Sequence, residues 1–398
     1  MITAEQALEL VLGATQDFGV EEIPFIQSRG RVLKEDILAD RDFPPFDRVS
    51  MDGIAIAIEA FQKGQRTFDI EGIQPAGAPQ LSLIDTSNCL EVMTGAVLPK
   101  NTNAVIRYED VEIQNEKATI LIDSISELQN IHLQGKDRKE GDLLLTKNTI
   151  ISPAEIGVFA TVGKSTIQVV KQPKVMIVST GDELVDVAEQ PLDHQIRRSN
   201  VYTLVSLLQN LKIDADTDHI TDDKEALKTK IATYLNDYDV LLFSGAVSKG
   251  KFDFLPEVLD ELGVKKLFHR VSQRPGKPFW MGTTENCSVF AFPGNPVSTY
   301  VNCLVYFYSW FYKSNRVETF EETAILTEDV VFKPNLTYFL QVKLSDKYGH
   351  LLATPVKGNG SGDLASLVDA DAFIRLPKTE ETTFKQGDNF PVIRYRNF

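Results

Sequence analysis

The sequence predicts a multidomain α/β protein. Its centre is a doubly wound parallel sheet, accompanied by a β module inserted into an N-terminal α/β layer and a C-terminal domain of β-barrel type. Three observations predict this. First, 398 residues exceed one domain, at roughly 100–200 residues per domain. Second, between residues 174 and 315 short apolar β-rich runs alternate with helical stretches, the pattern of parallel strands joined by right-handed crossovers. Third, residues 48–130 and 317–398 read as short strands and turns with little helix. Hydrophobic residues at 43% and charged residues at 24% match a folded globular composition.

In chain order, MITAEQALELVLGATQ reads as an amphipathic helix with a capping box from Thr3 and Gln6. Its acidic residues Glu5 and Glu9 do not fit the basic start of a signal peptide. Residues 1–47 and 131–172 form the expected discontinuous N-terminal domain, interrupted by the β module at 48–130 with the runs GIAIAI, LEVMTG, AVIRY and KATILI. The α/β domain spans 173–316. It begins with the strand KVMIVST and the turn TGDEL, followed by the helix SNVYTLVSLLQNL and the strand KIDADTDHI. The helix KEALKTKIATYL, the strand DVLLFSG and the helix FLPEVLDELG come next, then the strands VKKLFHRV and SVFAF. A last helix begins near Pro296, where proline suits the first turn. The final domain, 317–398, carries YFLQVKLS, HLLATPV, AFIRLP and FPVIRYRNF, the makings of a small barrel or sandwich.

Composition excludes several function classes. Forty-one basic against 56 acidic residues give a formal charge of −15, which disfavours non-specific binding to nucleic acid or an anionic membrane. The apolar stretch at 297–312 is interrupted by Ser298, Thr299, Asn302 and Ser309 and falls short of a membrane span. Cys89, Cys287 and Cys303 lack CxxC spacing, so a reducing, cytoplasmic setting is expected. The five histidines show no metal-ligand spacing, and neither a GxSxG elbow nor a GxGxxG fingerprint is present.

Ligands of an open parallel sheet bind outside the carboxyl ends of its strands. That rule gathers five loops at one edge: TGDEL, Asp222 with Asp223, SGAVSKGKFD, RPGKP and PGNP. Glu183 and Asp253 are hard oxygen donors of the kind that hold Mg²⁺ alongside waters and phosphate oxygens. Gly245 and Gly250 allow backbone N–H groups to approach a phosphate, and Arg274 and Lys277 flank a Pro-Gly turn, as an oxyanion site in an acidic protein requires. PGNP adds the positive end of a helix dipole. Taken singly, each loop reads as an ordinary turn, cap or solvated charge. Asp52 before Gly53, Thr94 on a glycine turn and Asp137 in a charged turn are likewise unremarkable by spacing alone.

The ordered set SMDG (50–53), MTGA (93–96), SPAEIG (152–157), STGDEL (179–184), SGAVSKGKFDF (244–254), RPGKPF (274–279) and FPGNPVS (292–298) resembles the molybdopterin molybdenumtransferase family over nearly the whole chain. That resemblance implies a four-domain homodimer whose central domain binds molybdopterin, with an active cleft between the α/β domain of one subunit and the SMDG and MTGA elements of the other. It implies a reaction in which molybdate reacts with adenylylated molybdopterin, AMP leaves and molybdenum cofactor forms, with Mg²⁺ or a similar divalent ion. Carried over residue by residue, Glu183 and Asp253 hold the metal, and Asp52, Thr94, Asp137, Asp222 and Lys277 join them as catalytic positions. Ser244, Gly245, Ser248, Gly250, Arg274, Lys277, Pro293, Gly294, Asn295, Pro296, Ser298 and Ser361 bind substrate. A molybdopterin adenylyltransferase and recipient molybdoenzymes are the implied partners. Two alternatives stand beside this reading: a pterin-binding scaffold without turnover, and the adenylyltransferase itself. Four features depart from the family pattern: Ala246 in place of a glycine, RPGKP in place of KPGKP, His132-Leu133-Gln134 in an arginine-rich segment, and Gln341 where arginine is frequent.

Overall fold

The computed structural model describes residues 1–247 and 253–396. They divide into two compact units, one made of 1–34, 148–152 and 167 onward, the other of 35–147 and 153–166.

The first unit is built on a six-stranded sheet. Its strands are β1 (Val175–Thr180), β2 (Ala215–Ile220), β3 (Val240–Ser244), β4 (Lys265–His269), β5 (Trp280–Thr283) and β6 (Ser288–Phe292), in the order β2-β1-β3-β6-β5-β4. The four strands β2, β1, β3 and β6 pair in parallel, while β5 runs antiparallel to both of its neighbours. The sequence reading did not contain β5. Its hairpin link to β6, residues 284–287, is too short for a crossover and therefore makes the pair antiparallel.

Alternate residues of each strand face opposite sides of the sheet. Val175, Ile177, Val240, Leu242 and Phe290 pack with α1 (Ser199–Asn210), the N-terminal helix Ala4–Gly13 and Trp310. Met176, Val178, Leu241, Phe243 and Val289 pack with α2 (Lys224–Asp237) and α3 (Leu255–Glu261). Burial on both faces explains why these strands read as continuous apolar runs. Thr3 and Gln6 form the expected capping box, and Trp310 Nε1 donates to Ala14 O at 2.7 Å to fix the end of that helix. After β6 the chain runs through α4 (Pro296–Asn302), one π-helical turn (Cys303–Phe307) and α5 (Tyr308–Ser314).

The same unit ends in a sheet formed by β7 (Glu322–Leu326), β8 (Thr337–Lys347), β9 (His350–Pro355), β10 (Ala372–Leu376) and β11 (Asn389–Arg394). Their order, β8-β9-β7-β11-β10, closes through a β8–β10 pairing, so the barrel and not the sandwich is realised. Leu326, Leu340, Val342, Ile374 and Leu376 fill it. A short strand, Gln273–Arg274, pairs in parallel with Thr337 and Tyr338 of β8.

The second unit holds another six-stranded sheet, ordered Ala104–Arg107, Gly53–Ile56, Cys89–Val92, Thr67–Gln74, Lys117–Ile120, Val111–Gln114. Ile54, Ile56, Phe61, Phe68, Ile106 and Ile120 form its core.

Leu242 is fully buried in the centre of the parallel sheet. Leu242→Ala is expected to cost roughly 2–5 kcal/mol, read as a lower urea midpoint for the signal of the α/β domain.

Candidate functional site

Strand order reverses between β1 and β3: the crossover through α1 leads from β1 to one side, to β2, and the next returns through α2 to β3 on the other. The loops leaving β1 and β3 therefore diverge and open a crevice. A cavity of about 420 Å³ occupies it, lined by Thr180, Glu183, Asp222, Ser244, Gly245, Asp253 and Gly294 among others. Four of the predicted loops meet there.

The walls are fixed by backbone geometry and one amide. Gly245 has φ +112°, and a Cβ on it would come within 2.8 Å of Thr180 Oγ1, so only glycine fits this close approach. Asn200, on α1, donates from Nδ2 to Ser244 Oγ at 2.8 Å and to Gly294 O at 2.7 Å, tying the β3 and β6 loops together. Thr180 Oγ1 is buried without a hydrogen-bond partner among the described residues.

The cavity is acidic at one end. Burial pushes the Asp222 carboxyl above its ordinary pKa, and the neighbouring carboxylates of Asp182, Glu183 and Asp253 push it further, against the lowering effect of a hydrogen bond from the Asp182 backbone. Arg197 and Arg198 also line the cavity; Arg198 pairs with Asp186, and Arg197 Nε donates to Glu189 O at 3.1 Å. Among the described residues no three of His, Cys, Asp and Glu converge as a complete metal cage.

A second cavity, about 560 Å³, adjoins the first and shares Glu183, Ile196, Gly294 and Asn295 with it. It adds Arg274, Lys277, Pro293, Ser298 and Ser361. Arg274 and Lys277 are exposed, and neither forms an ion pair among the described residues. Asn295 Nδ2 donates to Ser361 Oγ at 2.9 Å, fastening the PGNP turn to the segment that follows β9. A third cavity of about 300 Å³ continues from Arg274 and Ser361 to Gln341, whose amide exchanges hydrogen bonds with Ser366 Oγ at 3.0 and 3.1 Å.

Of the predicted residues, Glu183, Asp222, Ser244, Gly245, Asp253 and Pro296 thus line the first cavity, Lys277, Arg274, Pro293, Ser298 and Ser361 the second, and Gly294 and Asn295 both, as Glu183 does. Ser248 and Gly250 lie outside the described residues. Asp52, Thr94 and Asp137 belong to the second unit. There Thr94 donates to Asp52 Oδ1 from both N, at 2.6 Å, and Oγ1, at 2.7 Å. Asp137 accepts from or donates to none of these; its Oδ1 meets His132 Nε2 at 2.9 Å, and His132 Nδ1 meets Arg48 Nη2 at 3.2 Å. Sequence reasoning missed Thr180, Asn200 and the Arg197-Arg198 pair. Two consecutive arginines at the entrance of a predicted helix in an acidic chain were the available signal.

Three family models match in sequence order. Residues 2–163 match the MoeA N-terminal region (domain I and II), 176–308 the "Probable molybdopterin binding domain", and 323–395 the MoeA C-terminal region (domain IV). The chain belongs to the MoeA family of molybdopterin molybdenumtransferases. Among its relatives, the molybdopterin molybdenumtransferase of Synechocystis is 39% identical over 99% of this chain and 100% of that protein. The Bacillus subtilis enzyme of the same name is 31% identical over 94% of this chain and 90% of its own length. The crystal structure of the molybdopterin biosynthesis MoeA protein of Pyrococcus horikoshii superposes with a TM-score of 0.84 at 27% identity, covering 99% of this chain and 100% of that one.

Two expectations follow from the site geometry. Ala246 stands at φ +53°, where a Cβ is costly and glycine is not. Ala246→Gly should stabilise the chain by about 1 kcal/mol, read from thermal unfolding. The backbone N–H and then the hydroxyl of Thr94 hold the Asp52 carboxyl below its ordinary pKa. A depressed carboxylate contributes stability above its unfolded pKa and loses it as pH falls through the folded value. Thr94→Val should therefore raise the Asp52 pKa in an NMR titration, so that less stability is lost on acidification and the loss is complete at higher pH.

Proposed function

We propose that this MoeA family member transfers molybdenum from molybdate to adenylylated molybdopterin, releasing AMP and forming molybdenum cofactor. One observation carries the reading: the glycine-walled, carboxylate-rich cavity runs into the cavity holding Arg274 and Lys277 through shared walls at Glu183, Gly294 and Asn295. A substrate with a phosphoanhydride at one end and an oxyanion acceptor at the other matches that division of charge.

The acidic end fits a hard divalent cation. Asp182, Glu183 and Asp253 together disfavour ionisation of Asp222, and an added cation would relieve that repulsion. Glu183 and Asp253 are the residues that would hold Mg²⁺, with waters and phosphate oxygens completing its shell. When bound, the ion supplies electrostatic stabilisation to the phosphate oxygens. The chain's own residues do the rest. Gly245 lets the backbone approach the nucleotide phosphates, Asn200 keeps the two glycine-bearing loops in register, and Lys277 and Arg274 hold molybdate. Arginine at 274 retains the charge of the commoner lysine and adds a planar fork for oxygens. Asp222 or Asp253 orients the attacking oxygen.

A homodimer is part of the same reading, with Asp52, Thr94 and Asp137 supplied by the second copy. A molybdopterin adenylyltransferase would deliver the substrate and molybdoenzymes would receive the product. A cytoplasmic setting suits this work; no helix among the described residues is long and apolar enough to cross a membrane.

The test is a single-turnover reaction of the purified chain with adenylylated molybdopterin and Mg²⁺, with and without molybdate. AMP and molybdenum cofactor should appear together and only with molybdate. Asp253→Ala should lower the rate of AMP release at least 100-fold while leaving the melting curve unchanged. Binding of the pterin without AMP would overturn the reading in favour of a scaffold, and consumption of ATP with molybdopterin alone in favour of the adenylyltransferase.

A further inference from the structure

Behind the Arg274–Lys277 loop lies a polar network that the proposed reaction does not use. The loop turns its carbonyls inward: Pro275 O accepts from Gln273 Nε2 at 3.1 Å, Gly276 O from Asn302 Nδ2 at 3.3 Å and Lys277 O from Val271 N at 2.9 Å. Gln273 Nε2 also donates to Asn302 Oδ1 at 2.7 Å, and Tyr306 OH donates to Gln273 Oε1. The three side chains are enclosed, with exposures of 1% for Gln273 and 0% for Asn302 and Tyr306. Asn302 and Tyr306 line none of the three cavities.

Two features show that the backbone is shaped around this network. Gly276 has φ +88°, and a Cβ there would stand 2.7 Å from both terminal atoms of Asn302 and 2.8 Å from Gln273 Nε2. The two amides therefore lie directly against the loop backbone, leaving room only for glycine. Tyr306 sits in the π-helical turn Cys303–Phe307, between two α-helical segments. A π turn shifts the helical face that follows it and is frequent at functional sites. Here it carries the Tyr306 hydroxyl to Gln273 while the ring packs on Phe279 at 4.8 Å between centroids. Buried amides and hydroxyls are costly unless joined in this way, so an apolar filling would serve packing alone. What the network adds is a fixed position for the loop.

We propose that Gln273, Asn302 and Tyr306 form a buried clamp that positions Arg274 and Lys277, and thereby sets the affinity of the site for its tetrahedral oxyanion. Asn302 and Tyr306 are positioning residues: they act through the loop carbonyls and through Gln273, without touching the anion. The inference rests on the reading of this loop as the molybdate end of the site.

The experiment is equilibrium dialysis of molybdate against the full-length protein, paired with steady-state KM for molybdate and kcat. Groups that orient the ligands of a metal typically contribute about 10- to 100-fold in its affinity, and the lower end of that range is the effect expected of this clamp. Asn302→Leu should weaken molybdate binding and raise its KM about tenfold, with kcat changed far less. Tyr306→Phe, which removes a single oxygen and keeps the ring, should act in the same direction. Leu227→Ala, a core truncation on the opposite face of the sheet, should lower the melting temperature and leave molybdate affinity unchanged. Wild-type molybdate affinity in both Asn302→Leu and Tyr306→Phe would overturn the clamp, as would an equal loss in Leu227→Ala. If Asn302→Leu does not fold, Tyr306→Phe decides alone. Arg274→Ala and Lys277→Ala separate this failure from that of the underlying reading. If neither weakens molybdate binding, the loop is not the oxyanion site and both ideas fall; if they do and the clamp variants do not, only the clamp falls.

Discussion

The parallel sheet can bury both its faces only if its crossovers go to both sides, and that constraint creates the site. The path through β2 and α2 places β1 and β3 side by side although they are not consecutive. Their outgoing loops are pulled to opposite faces, and a gap remains that no side chain of the sheet fills. The residues bordering it are consequently strand ends and loop residues held by others: Gly245 lies against Thr180, Asn200 holds the Ser244 hydroxyl and the Gly294 carbonyl, and the Asn295 side chain is tied to Ser361. Rigidity comes from the scaffold, and chemical character from what the loops carry.

Charge is distributed along the cleft in a way the net charge conceals. A chain of formal charge −15 repels anions at long range, yet Arg274 and Lys277 sit together on one wall, apart from the carboxylates of Glu183, Asp222 and Asp253. The boundary is crossed by Glu183, which borders both cavities. This leaves neutral Gln341, paired with Ser366, in the position from which the third cavity is seen. Anion affinity at this edge consequently depends on few cations, and on how accurately those few are held.

Much of this was legible in the sequence because two-sided burial writes itself as uninterrupted apolar runs. KVMIVST, DVLLFSG and SVFAF are such runs, and each ends at a loop of the site. What escaped notice was of a different kind. Strand β5 is short and follows a proline-rich loop, so FWMGT has no period to read. Asn200 looks like any polar residue opening a helix, and its hydrogen bonds to Ser244 and Gly294 exist only once β3 and β6 lie alongside α1. The Gln273–Asn302–Tyr306 network joins residues 29 and 33 positions apart, and the π turn that makes it possible has no signature in composition. Ala246 was visible as a departure; that its backbone keeps the left-handed conformation usually left to glycine was not.

The short strand Gln273–Arg274 belongs to two structures at once. It opens the anion-facing loop of the α/β domain, and it is hydrogen-bonded in register to Thr337 and Tyr338 of the barrel. Because the barrel is closed on itself, each of its strands is hydrogen-bonded on both sides. Arg274 is thus anchored twice over: its backbone is a strand of the barrel's edge while its side chain borders the cavity of the α/β domain, so the oxyanion pocket is built jointly by the two.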